Sequence, residues 1–192
     1  MNQVIKIRQT SKDDASAIRE IYRPYIEDSA TSFEYKVPEV SEIQERIEAV
    51  IDFFPWLVLE ENGVIQGYAY GNKHRAREAY QWSVETSVYV AKTSQKKGVG
   101  RALYEKLFEI LTRQGFINAY AGITMPNDAS VAFHKSFGFQ YVGTYSKIGY
   151  KRGQWHDVSW WQKEIIPHPD NPQPPISIHS LAGSTSPGGA GF

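Results

Sequence analysis

Apolar and polar positions change period repeatedly along this chain, and each change marks an element. Val4-Ile5-Lys6-Ile7-Arg8 alternates and predicts a first strand. Ala15, Ile18, Ile21, Tyr22, Tyr25 and Ile26 then recur at helical spacing, with Ser11 and Asp14 as a start signal and Pro24 as an expected kink or break. A second helical stripe, Ile43, Ile47, Val50, Ile51 and Phe54, follows Ser41 and Gln44, which have the spacing of a capping box. Trp56 to Glu61 and Val64 to Tyr70 are apolar runs joined by Asn62-Gly63, a strong hairpin signal. Residues 81–90 read as another strand. Residues 98–114 read as the central helix, with Leu103, Leu107, Ile110 and Leu111 on one face and Gly115 suited to the position past its end. A short strand at 119–123, a helix through Ser136 capped by Asn127 or Asp128, and a strand pair at 139–148 and 156–165 complete the series. The order β-α-α-β-β-β-α-β-α-β-β predicts an α/β architecture with a mixed central sheet flanked by helices.

Composition narrows the setting. With 192 residues, 41% apolar and 14% aromatic, there is material for a single packed domain. That domain is expected over residues 1–166. From Pro167 the chain turns Pro-rich and then Gly/Ser-rich, so 167–192 is expected to be a disordered tail, with Ile176 and Ile178 offering a docking strap as the alternative. Lys plus Arg (21) balance Asp plus Glu (21), which argues against a general nucleic-acid or membrane-surface binder. The lack of cysteine removes a disulfide framework, a thiol nucleophile and a thiolate-bound zinc, and fits a reducing compartment. Met1 to Arg8 has no apolar signal core, and no run approaches the roughly 20 apolar residues of a membrane span. The expectation is a cytoplasmic protein.

The densest chemistry lies in Gln95-Lys96-Lys97-Gly98-Val99-Gly100-Arg101, between a strand and the central helix. Such a junction points free backbone N–H groups and the positive end of the helix dipole at one spot, a natural seat for a phosphate or diphosphate. Gly98 and Gly100 remove the Cβ atoms that keep a ligand away from the backbone. The spacing Gln-x-x-Gly-x-Gly is neither a P-loop, which needs Gly-Lys followed by Ser or Thr, nor the Gly-x-Gly-x-x-Gly dinucleotide fingerprint. Read alone, the loop is equally a basic helix start that binds nothing.

Further segments add to it. Arg75-Ala76-Arg77-Glu78-Ala79-Tyr80-Gln81-Trp82, Val84-Glu85-Thr86-Ser87-Val88-Tyr89-Val90, the stretch from Asn127 to Phe139 ending in Gly138-Phe139, and Gly153-Gln154-Trp155-His156-Asp157-Val158 occur in that order with the glycine loop among them. Together they resemble the GNAT acetyltransferase superfamily, and within it the phosphinothricin and methionine sulfoximine acetyltransferase subgroup, over most of residues 4–166. The resemblance implies the GNAT fold, acetyl-CoA as co-substrate with no metal, a small amino-acid substrate and a homodimer.

Residue by residue, the resemblance implies that Gln95, Lys96, Lys97, Gly98, Val99, Gly100 and Arg101 hold the diphosphate and that the backbone of Val88, Tyr89 and Val90 pairs with the pantetheine arm. Asn127 and Ser136 are implied cofactor contacts, although Asn127 is also an ordinary helix cap. Glu85 is the implied general base; on its strand alone it reads as an exposed carboxylate. Strand alternation puts Glu85, Ser87 and Tyr89 on one face and Trp82, Val84, Thr86 and Val88 on the other, and apolar neighbours are expected to desolvate the carboxylate. His134 is the implied acid for the leaving thiolate; it reads equally as a helix histidine packed on Phe137 or bonded to a backbone carbonyl. Arg75, Arg77, Tyr80, Thr86, Ser87 and the apolar Phe33 are the implied substrate contacts, because paired guanidinium groups suit a carboxylate; without the resemblance the arginines are as readily surface cations.

Other chemistries lack their motifs. The five histidines are dispersed, and neither His-Glu-x-x-His nor Gly-x-Ser-x-Gly occurs. Trp155, Trp160 and Trp161 read as core or dimer contacts rather than a sugar platform. Acetylation of a polyamine or a protein N-terminus, and a non-catalytic acyl-CoA sensor, remain as alternative functions.

Overall fold

The computed structural model describes residues 4–183. In chain order the elements are β1 (Ile5–Gln9), α1 (Ala15–Glu27), α2 (Val40–Ile51), β2 (Trp56–Glu61), β3 (Val64–Lys73), β4 (Ser83–Val90), α3 (Val99–Gln114), β5 (Asn118–Thr124), α4 (Asp128–Ser136), β6 (Gln140–Lys151), β7 (Gln154–Glu164) and α5 (Ile178–Gly183). The strands form one sheet in the order β1-β2-β3-β4-β5-β7-β6. Every neighbouring pair is antiparallel except β4 and β5. This is the expected mixed α/β sheet.

Local chemistry explains the connections. Asn62 (φ 51°) and Gly63 (φ 82°) both take left-handed conformations, as a tight two-residue hairpin turn requires. Gly115 (φ 87°) ends α3, and its successor Phe116 returns an N–H to Leu111.

Two apolar clusters hold the helices on opposite faces of the sheet. Leu103, Leu107 and Leu111 of α3 meet Leu57, Ala69 and Val84 on one side. Ile18 and Ile21 of α1 and Ile43 and Ile47 of α2 meet Trp56, Val58 and Tyr68 on the other.

Two expectations about the helices are corrected. The helix α1 runs through Pro24 without ending, because the proline lies near its C-terminus and one further turn completes it; the Pro24 carbonyl receives the N–H of Asp28 at 3.0 Å. The Ser41–Gln44 capping box does not form. Helix α2 starts two residues earlier than that box would set, at Val40, with Glu39 at its N-cap, and the Gln44 amide turns instead to the Lys12 carbonyl (3.4 Å).

The tail is not structureless over its first part. The Trp82 indole N–H donates to the Gln173 carbonyl (2.8 Å), and the Gln114 amide donates to the carbonyls of Phe53 (2.7 Å) and Ile176 (2.8 Å). Ile178 returns its N–H to Phe53, and Leu181 is buried against the α3 core. Ile178 and Leu181 share one face of a single helical turn, a signal too short to stand out against the prolines around it. The remainder of the expected tail, 184–192, lies outside the described residues.

Candidate active site

β4 and β5 pair over only three positions, Ser83 with Asn118, Val84 with Ala119 and Glu85 with Tyr120. Beyond Glu85 each strand stays with its outer neighbour, β4 with β3 through Val90 and β5 with β7 through Thr124. The sheet therefore splits into a slot, with Thr86, Ser87, Val88 and Tyr89 on one wall and Ala121 to Thr124 on the other. Thr31, Asn127, Ser130 and His134 also line it.

Alternation settles which groups face the slot. Ala91 gives its N–H to Gln66 of β3, so Val90 and Val88 direct theirs away from β3, toward the gap. The Tyr25 hydroxyl already serves Val90: it donates to the carbonyl (2.7 Å) and accepts from the N–H (3.2 Å). The free backbone edge is thus at Val88. The ring of Tyr89 turns to the opposite face, edge-on to Tyr22 and Tyr25 with centroids 5.0 Å away in both cases. Tyr89 contributes backbone to the slot and side chain to the support behind it.

The basic loop lies between the end of β4 and α3. Lys96 (φ 60°) and Gly98 (φ 84°) are both left-handed, so the chain winds tightly into the helix. The first ladder bond of α3 is Ala102 N–H to the Gly98 carbonyl (3.0 Å), which leaves the N–H groups of Val99, Gly100 and Arg101 without helical partners. Gln95, Lys96, Lys97 and Arg101 are exposed around this opening, while the Val99 side chain is buried and anchors the turn. Arg101 lies over the Phe137 ring at 5.2 Å and reaches the Ser136 hydroxyl at 3.4 Å, so the loop and the end of α4 form one cationic, hydroxyl-bearing rim. Converging amides, a helix dipole and three nearby cations fit a diphosphate.

Asn127 caps α4, accepting the Ser130 N–H at 3.1 Å, and lines the slot as well. One helical turn beyond Ser130, His134 is buried. Its Nδ1 donates to the Ser130 carbonyl (2.8 Å), which leaves Nε2 to accept from the Tyr104 hydroxyl (3.1 Å). Burial lowers the imidazole pKa and the Ser130 carbonyl opposes it, with the net shift downward. The resting group is neutral with no proton on Nε2. Tyr104 is fully buried, and its hydroxyl also lies 3.3 Å from Thr86 Oγ1, tying α3 to the wall of the slot.

At the closed end, the Glu85 carboxylate is half-exposed rather than enclosed by apolar groups. Its partner is His74, whose Nδ1 lies 2.9 Å from Oε1. Arg75 joins His74, Tyr120, Tyr145 and Trp160 around an adjoining cleft of about 370 Å³. Arg77 and Tyr80 are exposed on the turn that leads into β4. Phe33 comes from the α1–α2 connection. Its ring rests on Gly149 of β6, where a Cβ would collide with the ring, and it faces His156 at 6.3 Å. The three tryptophans separate: Trp161 is core, Trp160 lines the Arg75 cleft and Trp155 is exposed.

His74, Tyr25 and Tyr104 are site residues that sequence reasoning did not single out. Only His74 had a local signal, its position beside Arg75 at the end of a strand.

The chain is similar in sequence and fold to known acetyltransferases. The acetyltransferase (GNAT) domain family matches residues 7–160. A phosphinothricin N-acetyltransferase of Streptomyces viridochromogenes is 38% identical over 174 residues, 90% of this chain and 95% of that protein. An L-methionine sulfoximine/L-methionine sulfone acetyltransferase of Salmonella typhimurium is 34% identical over 163 residues, 84% of this chain and 95% of that protein. Among solved structures, a putative acetyltransferase of Salmonella typhimurium with its cofactor acetyl-CoA superposes with a TM-score of 0.83 at 33% identity, covering 88% of this chain and 98% of that one. A phosphinothricin acetyltransferase of Sinorhizobium meliloti in complex with acetyl-CoA gives 0.79 at 31% identity, covering 83% and 88%. The chain belongs to the GNAT acetyltransferase family, alongside phosphinothricin and methionine sulfoximine acetyltransferases.

Proposed function

We propose that this protein transfers the acetyl group of acetyl-CoA directly to the primary amine of a small amino acid of the phosphinothricin or methionine sulfoximine type. The observation that carries the reading is the splitting of the sheet at Glu85, which sets a carboxylate at one end of a slot whose β4 wall leads on to the amide-lined start of α3.

The amides of Val99, Gly100 and Arg101, with Gln95, Lys96, Lys97 and Gly98, receive the diphosphate. The backbone of β4 from Val88 takes the pantetheine amides as an added strand. Asn127 and Ser136 complete that side. Arg75 and Arg77 bind the acceptor carboxylate, Tyr80, Thr86 and Ser87 flank it, and Phe33 closes an apolar side. Glu85 removes a proton from the acceptor ammonium, directly or through one water, and the free amine attacks the thioester carbon. The C–S bond then breaks and the electron pair leaves on sulfur. The nitrogen sheds its second proton as the amide forms; His134, unprotonated at Nε2 at rest, takes that proton up and passes it to the departing thiolate, and because burial lowers its pKa the protonated ring is a stronger acid than an exposed one.

The edge strand β6 and its neighbour β7 carry exposed apolar side chains, among them Tyr141, Tyr145, Ile148 and Trp155, that suit contact with a second copy, and we take the working form as a homodimer. Among the described residues no helix is long and apolar enough to cross a membrane. We assign the reaction to the cytoplasm, where acetyl-CoA meets free amino acids.

Thiol release measured across a panel of amines tests the assignment. Product with phosphinothricin or methionine sulfoximine, and none with polyamines or peptides, is expected. Product confined to polyamines or peptides replaces the substrate class, and acetyl-CoA binding with no product from any amine makes the protein a sensor.

A further inference from the structure

We infer that His74 is a positioning residue for Glu85: it holds one carboxylate oxygen so that the other is directed at the acceptor amine. The inference rests on the proposed role of Glu85 as base and adds to it a residue outside the catalytic set named above.

The contact has a fixed sense. An ionised carboxylate only accepts, so at 2.9 Å the His74 Nδ1 must donate to Oε1, whether or not the ring is charged. Oε2 is given no partner among the described residues, which leaves that oxygen for the incoming proton.

The ring itself is held on three sides. It stacks on Tyr120 with centroids 4.4 Å apart and planes 13° from parallel. Trp160 meets it edge-on at 6.1 Å and Tyr80 at 6.3 Å. His74 keeps 12% of its side-chain surface exposed against 37% for Glu85. The more enclosed partner therefore restrains the more exposed one.

Tyr120 is also the residue directly across from Glu85 in the last pair that β4 and β5 make. The stack thus ties His74 to the same point of the sheet as the base. A glutamate with three rotatable bonds and an open side samples several rotamers, and a donor on a rigid ring removes most of them. His74 lies in the same cleft as Arg75. An amino acid with its carboxylate at Arg75 would bring its amine past the His74 ring toward Oε2.

The test uses the full chain with acetyl-CoA and methionine sulfoximine. His74→Phe keeps a flat ring on Tyr120 and removes the donor; His74→Asn keeps a donor near the Nδ1 position and loses the ring. Loss of positioning is expected to lower kcat about tenfold or more in His74→Phe, with the KM for acetyl-CoA unchanged. His74→Asn should recover part of that loss. In a Glu85→Gln background, His74→Phe should cost less than about twofold further, since the carboxylate it positions is gone. If His74→Phe does not fold, as judged by circular dichroism, His74→Leu against His74→Asn makes the same comparison, and equal rates overturn the inference. Wild-type kcat in His74→Phe, or the same loss with and without Glu85, also overturns it while leaving the base assignment in place. A fully active Glu85→Gln protein instead removes the base, and the inference with it.

Discussion

Glu85 and Tyr120 form the last rung between β4 and β5, and past that rung the sheet is open. The base candidate therefore stands at a boundary rather than within a continuous sheet. Its backbone is fixed by Asn72 on one side and Tyr120 on the other, while the residues that follow are free to meet a ligand. A rigid scaffold on both sides of a gap is the arrangement that holds reacting groups in register.

The two loop glycines should respond differently. Gly98 has φ +84° and open space around it, so Gly98→Ala meets no clash but must adopt a left-handed backbone, at a cost of about 1 kcal/mol. Gly100 lies within α3, and a Cβ there would touch Phe133 and Val90 at an ordinary 3.5 Å, so Gly100→Ala should leave stability unchanged or raise it. Thermal unfolding checks both. Because Gly100→Ala carries no folding penalty, a raised acetyl-CoA KM in that variant reports close approach of the ligand to the backbone; an unchanged KM contradicts the diphosphate seat.

Asp14 makes stability depend on acid. Burial alone would push its pKa up, but hydrogen bonds from Arg8 (2.7 and 2.8 Å), the Ser11 N–H (2.8 Å) and the Thr10 hydroxyl (3.0 Å) outweigh it and hold the pKa at about 2. The unfolded carboxyl titrates near 3.9, so this contribution is complete above about pH 4 and is lost as pH falls toward the folded value. Asp14→Asn should cost about 1–2 kcal/mol at neutral pH, allowing for solvent screening, and progressively less toward pH 2. Urea unfolding across that range measures it; a cost independent of pH contradicts the charge assignment.

His134 gives the opposite half of the pH profile. Its folded pKa is lowered by burial, so as pH falls below the unfolded value of about 6.5 the unfolded chain takes up a proton first. Stability then declines with falling pH until the folded group also protonates. His134→Gln has no such group, and the other histidines are common to both proteins. The difference in Tm between the wild type and His134→Gln should therefore shift against the wild type between about pH 7 and about pH 5. A difference that is flat over that interval contradicts a buried neutral imidazole.

Local rules made much of the fold legible. Asn62-Gly63 specified its hairpin by demanding two left-handed residues, Asn127 declared a helix start, and the Leu103-Leu107-Leu111 stripe declared the buried face of α3. Alternation placed Val84 and Thr86 on one face and Tyr89 on the other, as found, and the structure shows the first face to be the one against α3. Alternation gives direction but not depth, which is why Glu85 was expected among apolar groups and is instead half-exposed beside His74. His74, Tyr25 and Tyr104 act across distances of 11, 65 and 30 residues in sequence, and only the packing of separate elements brings them to the site. The docking of the tail depends in the same way on a buried Gln114 whose amide finds its partners in two distant segments.

Single-turnover transfer by Glu85→Gln, measured together with its affinity for acetyl-CoA, bears most directly on the role of the residue where the sheet divides. Loss of a general base is expected to slow transfer about 100-fold or more while acetyl-CoA binds as it does to the wild type. Transfer at the wild-type rate, or a loss traceable to failed acetyl-CoA binding, would contradict the assignment of Glu85 as the base.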